Sequence, residues 1–295
     1  MWGVMFRTRI VTAAVLLAGL LAALFFLPPL PWMGLCVLIG ALVAWEWGSL
    51  AGWDIKVRVV YSVILGCLCF MPVFFMPQDS QWLPDLLQAI LRGASFGLFL
   101  LAGLFWLLIA PLWLWRKWLL RGWVAGLVGI IVLLPPMLVF IALRTIGPLT
   151  LLAVCALPWV ADIAAYLSGR AFGGKKLAPN ISPGKTWAGA IGAVAGALVY
   201  CNAIVLFTPT EYRMQDLLLF QLLFIGLTVW SIIGDLFESL LKRQAGVKDS
   251  SNLLPGHGGI LDRVDSMTST LALIGIILCL GTVFFGSPFP VSSHP

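Results

Sequence analysis

Gly234–Ser266 reads GDLFESLLKRQAGVKDSSNLLPGHGGILDRVDS, and it interrupts an otherwise apolar chain. Asp235, Glu238, Asp249, Asp262 and Asp265 lie within it, out of only 12 Asp and Glu in 295 residues, together with Lys242, Arg243, Lys248, Arg263 and His257. The whole chain is 61% hydrophobic and 10% charged, with 14 Trp and a mean hydropathy of +1.04. A soluble domain of that composition would have too little polar surface for water. The expected fold class is therefore all-α: a polytopic integral membrane helix bundle in which this stretch links two spans at one membrane face.

Outward from this link, apolar spans fall near residues 10–27, 32–50, 57–76, 94–115, 122–143, 148–168, 186–207, 215–240 and 267–286, about nine transmembrane helices. Each is long enough to cross roughly 30 Å of hydrocarbon. The basic start and first span resemble a signal peptide, but LPPLPW and a second span follow without a small-residue cleavage site, so an uncleaved anchor is expected. With the N-terminus inside, all of the 18 Lys and Arg except Arg92, Arg144 and Arg213 fall on the cytoplasmic side, a strong positive-inside pattern. The tail SPFPVSSHP, with His294, then ends outside.

Three segments follow from composition: N-terminal helices over 1–147 as scaffold, a C-terminal region over 148–286 that carries the polar loops, and a short tail over 287–295. The 6 cysteines sit in apolar stretches without zinc-binding spacing and read as small apolar side chains. The net charge of +6 suits anionic headgroups or phosphates. Nothing calls for nucleic acid. Trp113, Trp115, Trp118 and Trp123 beside Arg116, Lys117 and Arg121 read as an interfacial belt. Glu46, between two tryptophans, leaves two readings open: lining a cavity or bonding a neighbouring helix. Gly189, Gly192 and Gly196 permit close helix packing and offer a face for a homodimer.

Chemistry concentrates in two polar loops. In the first, DIAAYLSGRAFGGKKLAPNISPGKTW (162–187), Asp162 and Tyr166 share a helix face that ends beside Arg170. Lys175, Lys176 and Lys185 then stand among glycines near a helix start, which suits a phosphate. From this loop alone, a basic surface held against anionic lipid is an equal reading. In the second loop, Asp235, Glu238, Ser239 and Lys242 fall at i, i+3, i+4 and i+7, one helical stripe that demands a hydrophilic cavity. Pro255–Gly259 lets backbone come close to a ligand, and Asp262 and Asp265 can aim at one point. His257 is open between acid, phosphate binder and loop support. Converging carboxylates with Ser and Asn oxygens suit Mg²⁺, and adjacent cations suit phosphate oxygens, so phosphoryl or nucleotidyl transfer is the expected chemistry.

The run Ser239-Leu-Leu-Lys242-Arg243, then Lys248-Asp249, Pro255-Gly-His257-Gly258-Gly259 and Asp262-Arg263-Val-Asp265 resembles the signature of phosphatidate cytidylyltransferases, the CDP-diacylglycerol synthases. Ser182-Pro183-Gly184-Lys185-Thr186-Trp187-Ala188-Gly189 resembles a second segment of that family; Gly184 and Ala188 stand where Lys and Glu are common and are assigned no role. The resemblance implies that CTP and phosphatidic acid give CDP-diacylglycerol and pyrophosphate with Mg²⁺, in a bacterial inner membrane, multi-pass, with the N-terminus cytoplasmic and the C-terminus periplasmic.

On that reading Asp235 and Asp262 are expected to bind the metal across the loop, with Asp249 and Asp265 as second choices. Lys242, Arg243, Lys248 and Arg263 are expected to hold triphosphate and pyrophosphate, with Asp249, His257 and Asp265 also in the catalytic set. Arg170, Lys175, Ser182, Lys185, Thr186 and Ser239 are the expected substrate-binding residues. Another membrane lipid-phosphate transferase is the alternative, and a transporter a more distant one.

Overall fold

The computed structural model describes residues 2–69, 85–208 and 214–285. Its helices are α1 (Trp2–Phe26), α2 (Pro29–Leu50), α3 (Ile55–Leu68), α4 (Asp85–Leu104), α5 (Ala110–Arg116), α6 (Gly122–Ile146), α7 (Pro148–Phe172), α8 (Trp187–Phe207), α9 (Met214–Gln244) and α10 (Leu261–Phe285). A π-helical turn, Phe105–Ile109, joins α4 to α5 into one long rod. The all-α membrane-bundle expectation holds. Seven segments among the described residues are long and apolar enough to cross a membrane: Pro29–Leu50, Arg92–Arg116, Gly122–Ile146, Pro148–Phe172, Trp187–Phe207, Asp216–Gln244 and Leu261–Thr282. Of the two other expected spans, the first contributes the shorter apolar helix Val11–Phe26. The third contributes α3, and the remainder of 57–76 lies outside the described residues, as do Arg213 and the C-terminal tail.

α10 is the helix around which the others gather: it packs against α9, α6, α4, α7 and α2. Small residues make that possible. A Cβ on Gly275 would press on Val139 of α6 at 2.7 Å, and one on Gly234 of α9 would stand 2.6 Å from Ser269 Oγ and 2.9 Å from the Asp265 carbonyl. Ser269 donates a 2.7 Å hydrogen bond to the Trp230 carbonyl, which fastens α10 to α9 just before the polar stripe begins. On the opposite flank Trp47 Nε1 donates to Ala125 O at 2.9 Å and Tyr61 donates to Gly126 O at 3.0 Å, locking α2 and α3 onto α6.

The glycine series of α8 is used within the chain. A Cβ on Gly192 would meet Ala164 O of α7 at 3.0 Å, and one on Gly196 would lie 2.5 Å from Ala164 Cβ. The face proposed for a dimer therefore closes the α7–α8 pair. The tryptophan cluster also divides. Trp115, Trp118 and Trp123 are exposed, with Arg116 4.5 Å above the Trp115 ring, as an interfacial belt requires. Trp113 is buried: it packs on Phe105 and Phe237, and its Nε1 donates to Trp118 O at 2.6 Å.

The loop after α7 is a small antiparallel ribbon, β1 (Lys176–Ala178) with β2 (Ser182–Thr186), which the sequence reading left as irregular. Gly173 and Gly174, at φ +59° and +87°, turn the chain off the end of α7. Pro179-Asn180 then makes the reversal, with Ile181 N–H donating to Ala178 O at 3.1 Å. Thr186 ends the ribbon and caps α8, its hydroxyl accepting from Gly189 N–H at 3.1 Å. Buried Ile181 sits in the core beside the end of α9, where Arg243 Nε donates to its carbonyl at 3.4 Å.

Candidate active site

The polar ends of α7, α9 and α10, the ribbon and the α9–α10 loop converge. A cavity of about 580 Å³ is lined by Asp162, Tyr166 and Arg170 from α7, Lys176, Lys185 and Thr186 from the ribbon, and Asp235 from α9. Lys185 pairs with Asp235 Oδ2 at 2.5 Å, and Ser239 donates to Asp235 Oδ1 at 3.2 Å. Arg170 donates to the Tyr166 hydroxyl at 3.1 Å, the contact their spacing of four allows. Lys176, one of the lysines suited to a phosphate but outside the expected substrate-binding set, lines this cavity. Lys175 is exposed, and its carbonyl accepts from Trp187 N–H at 3.0 Å to close the ribbon. Ser182 pairs in register with Ala178, outside the cavity lining.

The stripe on α9 splits in two. Asp235 lines the cavity with Ser239 bonded to it, whereas Glu238 and Lys242 turn inward. Lys242 Nζ stands 2.8 Å from Glu238 Oε2 and 2.7 Å from Asp262 Oδ1, so one ammonium ties α9 to the first turn of α10. Glu238 is 3% exposed, and its Oε1 is a buried oxygen without a hydrogen-bond partner among the described residues.

Asp262 and Asp265 are held by different contacts, though both lie within electrostatic reach of Glu238. Asp262 Oδ2 accepts from Ser250 N–H at 2.9 Å, Ser250 Oγ–H at 3.0 Å and Gly259 N–H at 2.8 Å, while Oδ1 takes Lys242. Both of its oxygens are engaged. Asp265 accepts from its neighbour Ser266 N–H at 2.7 Å and lies within electrostatic reach of Asp235, Asp162 and Lys242. Asp265, brought near by the close α9–α10 contact at Gly234, and Asp162 both lie within electrostatic reach of Asp235.

Lys248, Asp249, Asn252, His257 and Arg263 line a second polar cavity, of about 560 Å³, at the α9–α10 loop. Arg263 donates to His257 O at 2.9 Å and His257 N–H to Leu254 O at 2.9 Å, so the turn is held from both sides. The glycines of Pro255–Gly259 answer to the chain's own carboxylates: a Cβ on Gly258, at φ +81°, would be 2.7 Å from Asp262 Oδ2, and one on Gly259 would be 2.6 Å from Glu46 Oε2. Glu46 is the participant that sequence reasoning left open. It bonds into this loop and the start of α10 from α2, and its position between two tryptophans carried no sign of a partner more than 200 residues away.

Among the described residues no group of three or more His, Cys, Asp or Glu forms a ready metal cage. Magnesium is commonly held by one or two carboxylates together with water and substrate phosphates. The donor set fits such an ion. Asp162, Asp235 and Asp265 lie within electrostatic reach of one another, Lys185 pairs with Asp235, and Glu238 Oε1 is a buried oxygen without a hydrogen-bond partner among the described residues.

An apolar groove adjoins the first cavity. It is lined by Trp115, Trp187, Ile191 and Leu236 among others, and shares Leu177, Ala190 and Ile232 with the polar chamber. A ligand with an anionic head and an apolar tail would fill both.

Comparisons with known proteins agree with this chemistry. Residues 7–280 match the model of the cytidylyltransferase family. A phosphatidate cytidylyltransferase of Pseudomonas aeruginosa is 40% identical over 93% of this chain and 97% of its own length. Relatives of the same name from Haemophilus influenzae, 34% identical over 90% of this chain and 96% of theirs, and from Brucella suis, 36% identical over 91% of each, match along the same extent. With the signature loops built into one polar junction and the similarity running from the first helix to the last, the chain belongs to the cytidylyltransferase family.

Proposed function

We propose that the protein transfers the cytidylyl group of CTP to the phosphate of phosphatidic acid, giving CDP-diacylglycerol and pyrophosphate for phospholipid synthesis. The observation that carries this reading is the polar chamber joined to an apolar groove, which matches an anionic headgroup with acyl chains. The names of the relatives supply the nucleotide and the lipid.

In the transfer, an oxygen of the lipid phosphate, already anionic at neutral pH, attacks the α-phosphorus of CTP. The bond from that phosphorus to the oxygen bridging the β-phosphorus breaks, and pyrophosphate leaves with the electron pair. No side chain has to activate the nucleophile; the obstacle is repulsion between two anions. Lys185, Lys176 and Arg170 hold the lipid phosphate at the chamber that opens to the groove. Lys248, Arg263 and His257, on the second cavity, hold the triphosphate and steady the departing pyrophosphate. Asp235 and Asp265 are the carboxylates that would hold Mg²⁺, with Asp162 nearby, and Asp262 is the brace that fixes the loop. When bound, the ion supplies charge neutralisation on phosphate oxygens.

The site faces the cytoplasm of a bacterial inner membrane, with the N-terminus inside, a reading supported by the placement of Lys and Arg along the sequence. The test uses the purified full chain in lipid with CTP labelled in cytosine, phosphatidic acid and Mg²⁺. Label should enter the organic phase with one pyrophosphate released per lipid. Absence of labelled lipid from folded protein, or its formation without added phosphatidic acid, would overturn the proposal.

A further inference from the structure

We infer that Glu46, on α2 in the N-terminal half, is a positioning residue that sets the α9–α10 loop for nucleotide binding. Its carboxylate is 1% exposed and accepts four hydrogen bonds: from Ser251 Oγ–H at 2.6 Å, Leu261 N–H at 2.7 Å, Ile260 N–H at 3.0 Å and Ser250 Oγ–H at 3.1 Å. Every donor comes from the one segment 250–261. No ammonium or guanidinium pairs with it among the described residues. A buried carboxylate without a cation is costly unless its oxygens are fully used, and here they are used entirely on the loop.

Ile260 N–H, just ahead of α10, and Leu261 N–H, its first, are donors that no intrahelical carbonyl can take. Glu46 caps them from another helix, at the end of α10 where negative charge is favoured. Asp262 caps Gly259 N–H from within the same turn. Ser250 Oγ lies 3.1 Å from Glu46 and 3.0 Å from Asp262, and its single proton serves one carboxylate at a time. Lys242 continues the line from Asp262 to Glu238. One hydrogen-bonded chain thus runs from α2 through the loop and α10 to α9.

The residues this clamp holds in place are those of the second cavity: Lys248 and Asp249 precede Ser250, and His257 and Arg263 flank the Ile260–Leu261 cap. Gly259 belongs to the same device, since any side chain there would press on the Glu46 carboxylate. Glu46 touches neither cavity and acts through the loop alone.

This inference rests on the nucleotide-transfer reading for its kinetic readout, and a second readout is independent of it. In the full chain reconstituted in lipid, Glu46→Ala, Glu46→Gln and Gly259→Ala are compared by amide hydrogen exchange and by turnover. Exchange over 250–261 should quicken at least about tenfold in Glu46→Ala and Gly259→Ala, with the buried segment 132–143 of α6 unchanged. The KM for CTP should rise about tenfold or more while that for phosphatidic acid stays within about twofold, and Glu46→Gln, which keeps length and one acceptor, should fall between. Gly259→Ala, with Glu46 intact, reproduces the effect if the clamp is the cause. Unchanged loop exchange in both variants overturns the inference. So does a fall in kcat with both KM values fixed and exchange raised throughout α6, the mark of lost fold alone. If the wild-type chain made no labelled lipid, the nucleotide reading would fail while the exchange experiment still decided whether Glu46 holds the loop.

Discussion

Replacing Lys242 by Met removes one ammonium from two carboxylates. In the structure its Nζ lies 2.8 Å from Glu238 Oε2 and 2.7 Å from Asp262 Oδ1, and both acid side chains are only 4% exposed. Unpairing a buried charge costs about 3–5 kcal/mol. That cost falls unevenly. Asp262 keeps the donors from Ser250 and Gly259, whereas Glu238 is left with no partner, its other oxygen being unpartnered already. Removing the Glu238 charge as well should therefore restore part of the loss, about 1–3 kcal/mol as an interaction energy. At roughly 2–4 °C per kcal/mol for a chain of this size, Lys242→Met should lower the thermal midpoint in detergent by about 6 °C or more, and Lys242→Met with Glu238→Gln should recover at least about 2 °C of it. Thermal unfolding followed by intrinsic fluorescence, with 14 Trp as reporters, reads both. A double variant whose loss equals the sum of the two single losses would refute the claim that Glu238 depends on Lys242.

Asp235→Asn and Asp262→Asn separate the two roles given to these acids. Asp235→Asn should raise the Mg²⁺ concentration for half-maximal turnover by about tenfold, whereas Asp262→Asn should lower turnover without moving that requirement, and the reverse ranking in Mg²⁺ titrations would return the metal to Asp262. Lys185→Ala should raise the KM for phosphatidic acid about tenfold, as expected for loss of a charge-assisted hydrogen bond; Lys185→Arg should cost less because a cation is kept, and equal negligible losses would return the ribbon to lipid-surface duty. Gly196→Val would drive a branched side chain into Ala164, whose Cβ lies 2.5 Å from the Cβ position, and should cost about 1–3 kcal/mol, seen as a lower thermal midpoint; an unchanged midpoint would show that α7 and α8 can separate at no cost.

The helices were legible because lipid demands long apolar segments and the charges punctuate them: seven of the expected spans are helices long enough to cross a membrane among the described residues, and the polar stripe Asp235–Lys242 lies near the end of α9 as its spacing required. The ribbon was missed although its signals were present, since Gly173-Gly174, Pro179-Asn180 and the Thr186 cap each specify a local geometry that hydropathy does not register. The partners of the acids were beyond sequence reach. Periodicity puts Asp235, Glu238 and Lys242 on one stripe, but whether a given oxygen meets Lys185, Lys242 or backbone depends on how three helices and a ribbon are rotated against one another. For the same reason Trp113 could not be told from its exposed neighbours: only packing on Phe105 and Phe237 removes it from the interface.

The division of the chain into an N-terminal scaffold and a C-terminal catalytic region also changes meaning once these contacts are known. Charge density marks residues 148–286 as the chemical half, yet α10, which begins with Asp262 and Asp265, packs on α2, α4 and α6 from the first half. Glu46 supplies the cap for its first amides, and Gly259 lacks a side chain where that carboxylate arrives. A glycine-rich signature that looks built to admit a ligand is thus shaped in part by the protein's own acids, which approach the loop from α2 and from α10. The ligand-facing cations, Lys248 and Arg263, are carried by a backbone whose position those acids fix. Where charge appears in the sequence and where the site is physically held are consequently different questions: the first has its answer in the second half of the chain, and the second requires both halves.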